Sequence, residues 1–359
     1  MMKKLFCLSV AICSFFCAQS QQTKLLTAEK HNEYGLVYSL PVTAFKIEVV
    51  VVKETQTAGP FYKYSKIFTK EANAVPKDKV TWSIESVNIT PYGVPDEENR
   101  YLMQLKSGAT TFISVAEDGM LLSINKEVDI PQPESFVVDM IVGEVVSGKE
   151  YLDFVNEDFI AAQSSYKQAQ LLAEELMEIR EAKLSLTRGT ADTMPTDGKQ
   201  LEIMLASLEK QEKALMNAFT GSIRKERIVR TFNFIPEEEG KFILCKLSPS
   251  DGLIDAKSKN GDPLYISVKV LENAQLPVDT KGEEKKVPKD AVMYCIPGSA
   301  SLSLALNNTN LYSQDYPMSQ FGMIFGLNPS IFTDKKEPSY AVFNPTTGAL
   351  IELGTIKVQ

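Results

Sequence analysis

Ser-x-x-Lys sets a nucleophile and a base one helical turn apart. The pattern occurs at Ser123-Lys126, Ser164-Lys167, Ser207-Lys210 and Ser222-Lys225. No companion motif of the penicillin-recognising enzymes accompanies it, and all four read as accidental. A Cys-His or Ser-His-Asp nucleophile system would have to use His31, the single histidine. An isolated histidine near the start of a chain reads as solvated rather than catalytic. The same shortage removes His-rich zinc sites, and Cys245 and Cys295 match no compact thiolate spacing. Asp96-Glu97-Glu98 and Glu237-Glu238-Glu239 would attract Ca²⁺, but neither alternates oxygen ligands ahead of a glycine as an EF-hand loop does. Solvated loops are the simpler reading. No glycine loop of the phosphate-cradling or dinucleotide type is present. A carboxylate pair for glycoside hydrolysis stays open, because separation in space is not written in spacing along the chain. The single tryptophan, Trp82, leaves few stacking platforms for sugars. The sequence therefore assigns no catalytic, cofactor-binding or metal-ligating residue.

One charge stands out by its position. Residues 153–223 carry apolar side chains at three- and four-residue steps, first through Phe159, Ala162, Tyr166, Ala169, Ala173 and Leu176, then through Leu201, Leu205, Leu208, Leu215 and Phe219. The spacing predicts two long helices. Arg188-Gly189 ends the first, Pro195-x-Asp197 stops the chain and caps the second, and Gly221 ends that one. A short loop between long helices favours an antiparallel hairpin. A first helix of about thirty residues would reach roughly 45 Å, so its tip would project. Glu212 falls in the apolar stripe of the second helix and must be paired there, since a lone buried carboxylate costs several kcal/mol. Lys167, Gln170 and Arg180 are its candidate partners, in a register-fixing contact.

The flanking regions read as strands. Before the helices, residues 45–52, 81–90, 101–105, 111–115 and 120–124 carry the β signal, with a short helix around Tyr64, Ile67 and Phe68. After them, residues 227–234, 242–247, 264–271 and 292–306 do the same, with Asn260-Gly261 as a turn. Residues 273–290 read as an exposed loop and 317–325 as a short helix. Tyr38-Ser39-Leu40-Pro41-Val42-Thr43-Ala44 shares Tyr-x-(Leu or Ile)-Pro-x-x-Ala with Tyr294-Cys295-Ile296-Pro297-Gly298-Ser299-Ala300. Duplicated β domains explain this, as do two unrelated strands that each begin after a proline. The expected fold is α+β and mainly β. It has an N-terminal β-rich domain at 21–152, a helical hairpin at 153–223 and a C-terminal β-rich domain at 224–359.

The first twenty residues read as a secretory signal, with Lys3 and Lys4 ahead of an apolar run over 5–17 and small residues before Gln21. A lipoprotein signal using Cys17 is the rival, but Ser14-Phe15-Phe16 lacks the small residues that such processing needs. Cleavage leaves 36 basic against 46 acidic side chains, and that sign argues against nucleic acid or anionic membrane as main partner. No later segment is apolar enough for a transmembrane helix. Cys245 and Cys295 survive cleavage, and either form a disulfide or are two buried thiols on neighbouring strands.

Glu33-Tyr34-Gly35-Leu36-Val37-Tyr38-Ser39-Leu40-Pro41 resembles the opening strand of a known family. So do Arg188-Gly189, Pro195-x-Asp197-Gly198, Gln211-Glu212 and Phe219-Thr220-Gly221 in the middle of the chain. Gln320-Phe321-Gly322 and Phe343-Asn344-Pro345-x-Thr347-Gly348 resemble its closing segments. This is the secreted Bacteroidota domain-of-unknown-function family 4831. The resemblance implies export and a β–hairpin–β build, and carries no activity with it. Asp192-Thr193-Met194 at the loop tip resembles the acceptor pattern of Bacteroidota protein O-glycosylation, with Thr193 as acceptor. The expectation is a periplasmic or outer-membrane-associated protein, without cofactor, that binds another envelope protein or itself through the hairpin. The alternatives are a carboxylate-dependent glycan hydrolase and a glycan- or peptide-binding module.

Overall fold

Alternation places Phe45, Ile47, Val49 and Val51 on one face of a strand, and in the computed structural model these side chains are at most 1% exposed. The structure describes residues 23–25, 35–103, 112–129, 141–142, 148–334 and 336–356. The expected signal segment 1–20, with Cys17, and His31 lie outside the described residues. In chain order the elements are β1 (Thr23–Leu25), β2 (Leu36–Thr57), α1 (Ser65–Phe68), β3 (Lys79–Met103), β4 (Ile113–Val115), β5 (Leu121–Ile124) and β6 (Ile141–Val142). Then come α2 (Glu157–Ala161), α3 (Ser165–Arg188) and α4 (Gly198–Thr220). The chain continues through β7 (Ser222–Phe234), β8 (Gly240–Ser248), β9 (Gly252–Ile254), β10 (Asp262–Glu272), β11 (Val292–Leu306), β12 (Thr309–Leu327), β13 (Ser339–Phe343) and β14 (Leu350–Thr355). The protein is mainly β.

The described strands form three antiparallel sheets, ordered β1-β3-β2-β7-β6, β12-β11-β10-β8-β9 and β14-β13-β5-β4. The two five-stranded sheets bury their apolar faces against each other. Phe45, Ile47, Val49, Val51 and Ile89 from the first meet Leu264, Ile266, Val268, Leu302, Leu304 and Met318 from the second. A second cluster joins Tyr38, Leu40 and Tyr101 to Leu121, Ile124, Tyr294, Phe325 and Phe343. Strands from both sides of the helices therefore share both cores. The expected boundary at 223/224 also runs through one sheet, because β7 pairs with β2 from Phe45–Phe234 to Thr57–Ser222.

The two copies of the Tyr-x-(Leu or Ile)-Pro segment occupy matching places. Tyr38 and Tyr294 enter the second cluster, and Ala44 and Ala300 are fully buried six residues later. In the β2–β3 pair, Ser39 faces Arg100 and Pro41 faces Pro95, so residues 96–99 bulge opposite Leu40 alone. In the β11–β12 pair, Ile296 faces Met323 and Gly298 faces Met318, so residues 319–322 bulge opposite Pro297 alone. Ser39 and Cys295 each form a parallel bridge, to Met120 and Ala349, and their amides donate to the carbonyls of Gly119 and Gly348, both at 3.0 Å. The shared irregularity supports duplication over coincidence. It also corrects the expected helix at 317–325, which is strand β12 with a four-residue bulge. Strand pairing to β11 overrides its local propensity.

The helical region also departs from a single first helix of about thirty residues. Ala162 is extended, and Ser164 starts α3 afresh by accepting from the Lys167 amide at 3.2 Å. α3 has 24 residues, about 36 Å long. Its end follows the glycine rule, since Gly189 has φ 69° and the Thr190 amide donates to the Ser185 carbonyl at 2.9 Å. Asp197 caps α4 by accepting from the Gln200 amide at 2.8 Å.

Gly221 and Gly189 both have positive φ but differ in surroundings. A Cβ on Gly221 would lie 2.5 Å from the Thr57 carbonyl oxygen, whereas one on Gly189 meets nothing within 4 Å. Gly189→Ala should cost about 1 kcal/mol of unfolding free energy, the strain of a left-handed residue alone. Gly221→Ala must also displace the β2–β7 junction and should cost more than about 2 kcal/mol. Urea denaturation of both variants measures the difference, and equal costs would refute the account.

Candidate functional site

Burial on the helix pair is concentrated at its base, with Leu186 near the far end of α3 buried as well. In α4 only Ala214, Leu215, Ala218 and Phe219, all in the last two turns, are buried. Leu215, Ala218 and Phe219 meet Ala169, Leu172, Ala173, Leu176 and Ile179 of α3, with Phe61 ahead of α1 and Phe159 of α2. The Phe61 ring lies 6.0 Å from Phe159 and 6.1 Å from Phe219.

Glu212 closes that interface. Its Oε1 accepts from Arg180 Nε at 2.8 Å and its Oε2 from Lys183 Nζ at 2.8 Å. Lys183 also lies 3.7 Å from Glu209. Arg180 is thus the one correct candidate. Lys167 donates instead to Gln170 Oε1, and Gln170 to Glu174 Oε1. Lys183, one turn from Arg180 on the same face, was the missed partner. The Lys183 ammonium and Arg180 hold the Glu212 carboxyl below the usual range, although burial opposes them. Glu212 in turn raises the Lys183 ammonium.

Past this network the helices part around a groove of about 680 Å³, lined by Ala182, Leu186, Met204, Leu208 and the loop residues Asp192 and Thr193 among others. Leu184, Met194 and Ile203 stand nearby in the chain, 45%, 40% and 62% exposed. Thr193 is exposed in the loop, the setting an acceptor needs. The groove is apolar with hydroxyl edges from Ser185, Thr190 and Ser207, a surface suited to contact rather than proton transfer.

The two bulges meet at a second cavity of about 250 Å³, lined by Leu40, Pro41, Val42, Asp96, Asn99, Cys295, Ser319, Gln320, Gly322 and Ile324. Thr43 ties the sheets together there. Its amide donates to Ser319 Oγ at 3.0 Å, the Ser319 amide donates to Thr43 Oγ1 at 3.1 Å, and Gln320 Nε2 donates to the Thr43 carbonyl at 2.6 Å. The adjoining pocket brings Asp96, Glu97, Glu98 and Glu237 together, so the two acidic triplets share one rim. Their bonds are largely local. Asp96 accepts from the Glu98 amide and Asn99 Nδ2, and Glu97 from Arg100. Among the described residues no group of three or more His, Cys, Asp or Glu could hold a metal ion.

A family model described as domain of unknown function (DUF4831) matches residues 34–351. The chain belongs to the DUF4831 family. No curated protein and no solved structure matches it. In this DUF4831 protein the residues that carry the resemblance sit at stops and junctions. Arg188-Gly189, Asp197 and Gly221 bound the helices, and Gln320 bridges the sheets. Asn344 Oδ1 accepts from the Thr346 amide at 2.8 Å in the loop that seats Gly348 against Pro41.

Cys245 and Cys295 are free and buried, which corrects the disulfide reading. Cys245 lies on β8 and Cys295 on β11, and β10 runs between those strands, so they are not neighbours either. Burial pushes both thiols up to about 12, far from the thiolate needed for attack. Three of the Ser-x-x-Lys lysines are engaged elsewhere: Lys126 with Glu352, Lys167 with Gln170 and Lys225 with Glu54. Among the described residues no helix is long and apolar enough to cross a membrane.

Two measurements check this chemistry. Glu212→Gln should lower stability by about 1 kcal/mol at neutral pH, as expected for a partly exposed ion pair. Because the folded carboxyl titrates below its unfolded value, that difference should shrink as pH falls through the folded value. A pH-independent difference in urea titrations would contradict the pairing. Separately, a thiol reagent should label neither Cys245 nor Cys295 in native protein and both after unfolding without reductant. Failure to label unfolded protein would mean a disulfide after all.

Proposed function

We propose that the chain is an exported, non-catalytic cell-envelope component that binds another envelope protein through α3 and α4, acting as an antiparallel hairpin arm. The observation that carries this reading is the apolar groove between Ala182, Leu186, Met204 and Leu208, beyond the last densely buried turn of the pair. Methionine and small residues make such a surface adaptable to a partner helix. Export rests on the signal pattern of residues 1–20. The carboxylate-dependent hydrolase has less support, because Asp96 and Glu97 accept hydrogen bonds from their own bulge and from Arg100.

Ala182 and Met204 are exposed, so charges placed there should leave the fold intact. Ala182→Glu/Met204→Glu protein, bearing the same affinity tag as wild type, should lose the envelope protein that wild type retains. Quantitative mass spectrometry of eluates from native envelope extracts reads that loss. Identical partner sets from both proteins would count against the groove.

A further inference from the structure

Beside its packed face, α3 carries three exposed apolar side chains in one line. Tyr166, Met177 and Leu184 are 51%, 49% and 45% exposed. With Gln170, Ala173 and Arg180 between them, they follow alternating four- and three-residue steps. That heptad spacing runs one straight seam along a helix, of the kind that packs against another helix. Ala173 lies at the edge of the packed face, in the helix-pair core with Leu172, Leu176 and Ile179, and Arg180 is bonded to Glu212, so Tyr166, Met177 and Leu184 are the exposed apolar positions of the seam. Tyr166 is held in place by Tyr64 and Phe68, with ring centroids 5.7 and 5.4 Å away, so its aromatic anchor is ordered beforehand.

We infer that this seam joins two copies of the chain through an antiparallel, two-fold α3–α3 contact. The register that sets Tyr166 against Leu184 of the second copy also sets Gln170 against Arg180 and Ala173 against Met177. Every seam position then has a partner, as an isologous interface requires. Charge selects the same register. Lys167, Glu174 and Glu181 line the seam's solvent flank, all three exposed. Antiparallel pairing brings Lys167 of each copy beside Glu181 of the other, two attractive contacts against one like pair at Glu174. Each Glu174 is already hydrogen-bonded by Gln170 Nε2 at 2.9 Å.

The seam is about 27 Å long on a helix about 10 Å wide, a few hundred Å² per copy. This is short of the roughly 800 Å² per partner of a standard interface. The dimer should therefore form in the micromolar range, and this contact uses a different flank of α3 from the groove of Ala182 and Leu186.

Sedimentation equilibrium of the purified chain alone reads the contact independently of any envelope partner. The mass should rise from one chain towards two as concentration climbs through the micromolar range. Met177→Glu should weaken association at least about tenfold, or 1.4 kcal/mol. Glu181→Lys should also weaken it, and Lys167→Glu/Glu181→Lys should restore it, with circular dichroism confirming that each variant is folded. A chain that stays monomeric, a dimer indifferent to Met177→Glu, or a double swap that restores nothing would each overturn the proposal.

Discussion

A strand of 22 residues would run about 73 Å if straight, several times the length of an ordinary strand. β2 has that length and is almost wholly buried from Tyr38 to Val52, so it must serve two cores in succession. A single twisted ribbon cannot present one face correctly to both. The bulge opposite Leu40 lets the chain change direction between them, and β11 meets the same demand with the bulge opposite Pro297. The rest of the β architecture follows from those two bends. Thr43 and Gln320 lock the sheets where they meet, and the hairpin turns at Gly119 and Gly348 bridge back to Ser39 and Cys295.

What could be read from the sequence was what local rules govern. The alternation of Phe45 to Val51 gave the core face of β2, and Gly189, Asp197 and Gly221 gave the helix ends because capping is a short-range matter. β12 escaped notice because its polar, glycine-containing 319–322 segment breaks the two-residue period, and only pairing with β11 makes it a strand. The assignment of β7 to the first sheet was invisible for a similar reason. Its partner β2 lies more than 160 residues earlier.

Candidate sites divided along the same line. Glu212 was conspicuous because a carboxylate interrupted an apolar stripe, and the requirement for a partner held. The choice between Lys167, Gln170, Arg180 and Lys183 depended on the break at Ala162 that precedes α3 and on where α3 meets α4. Nothing in the spacing of Asp96-Glu97-Glu98 and Glu237 announced a common rim, since they meet only after two sheets pack. The bulged segments were the one long-range feature with a sequence trace, because a proline recurs beside each bend.

The helix pair completes the division of labour. Its free energy is concentrated at the base, where Phe61, Phe159, Leu172, Leu176, Leu215 and Phe219 pack together and Gly221 turns directly into the buried sheet. Most helical stability in proteins comes from packing, so the outer turns of α4, which contain no buried residue before Ala214, lean on that anchor and on Glu212. An arm fixed in this way can leave Leu184, Met194 and Ile203 in solvent without losing its shape. The physical logic of the molecule thus separates a β body locked by contacts between its sheets from a helix pair that is anchored chiefly at one end.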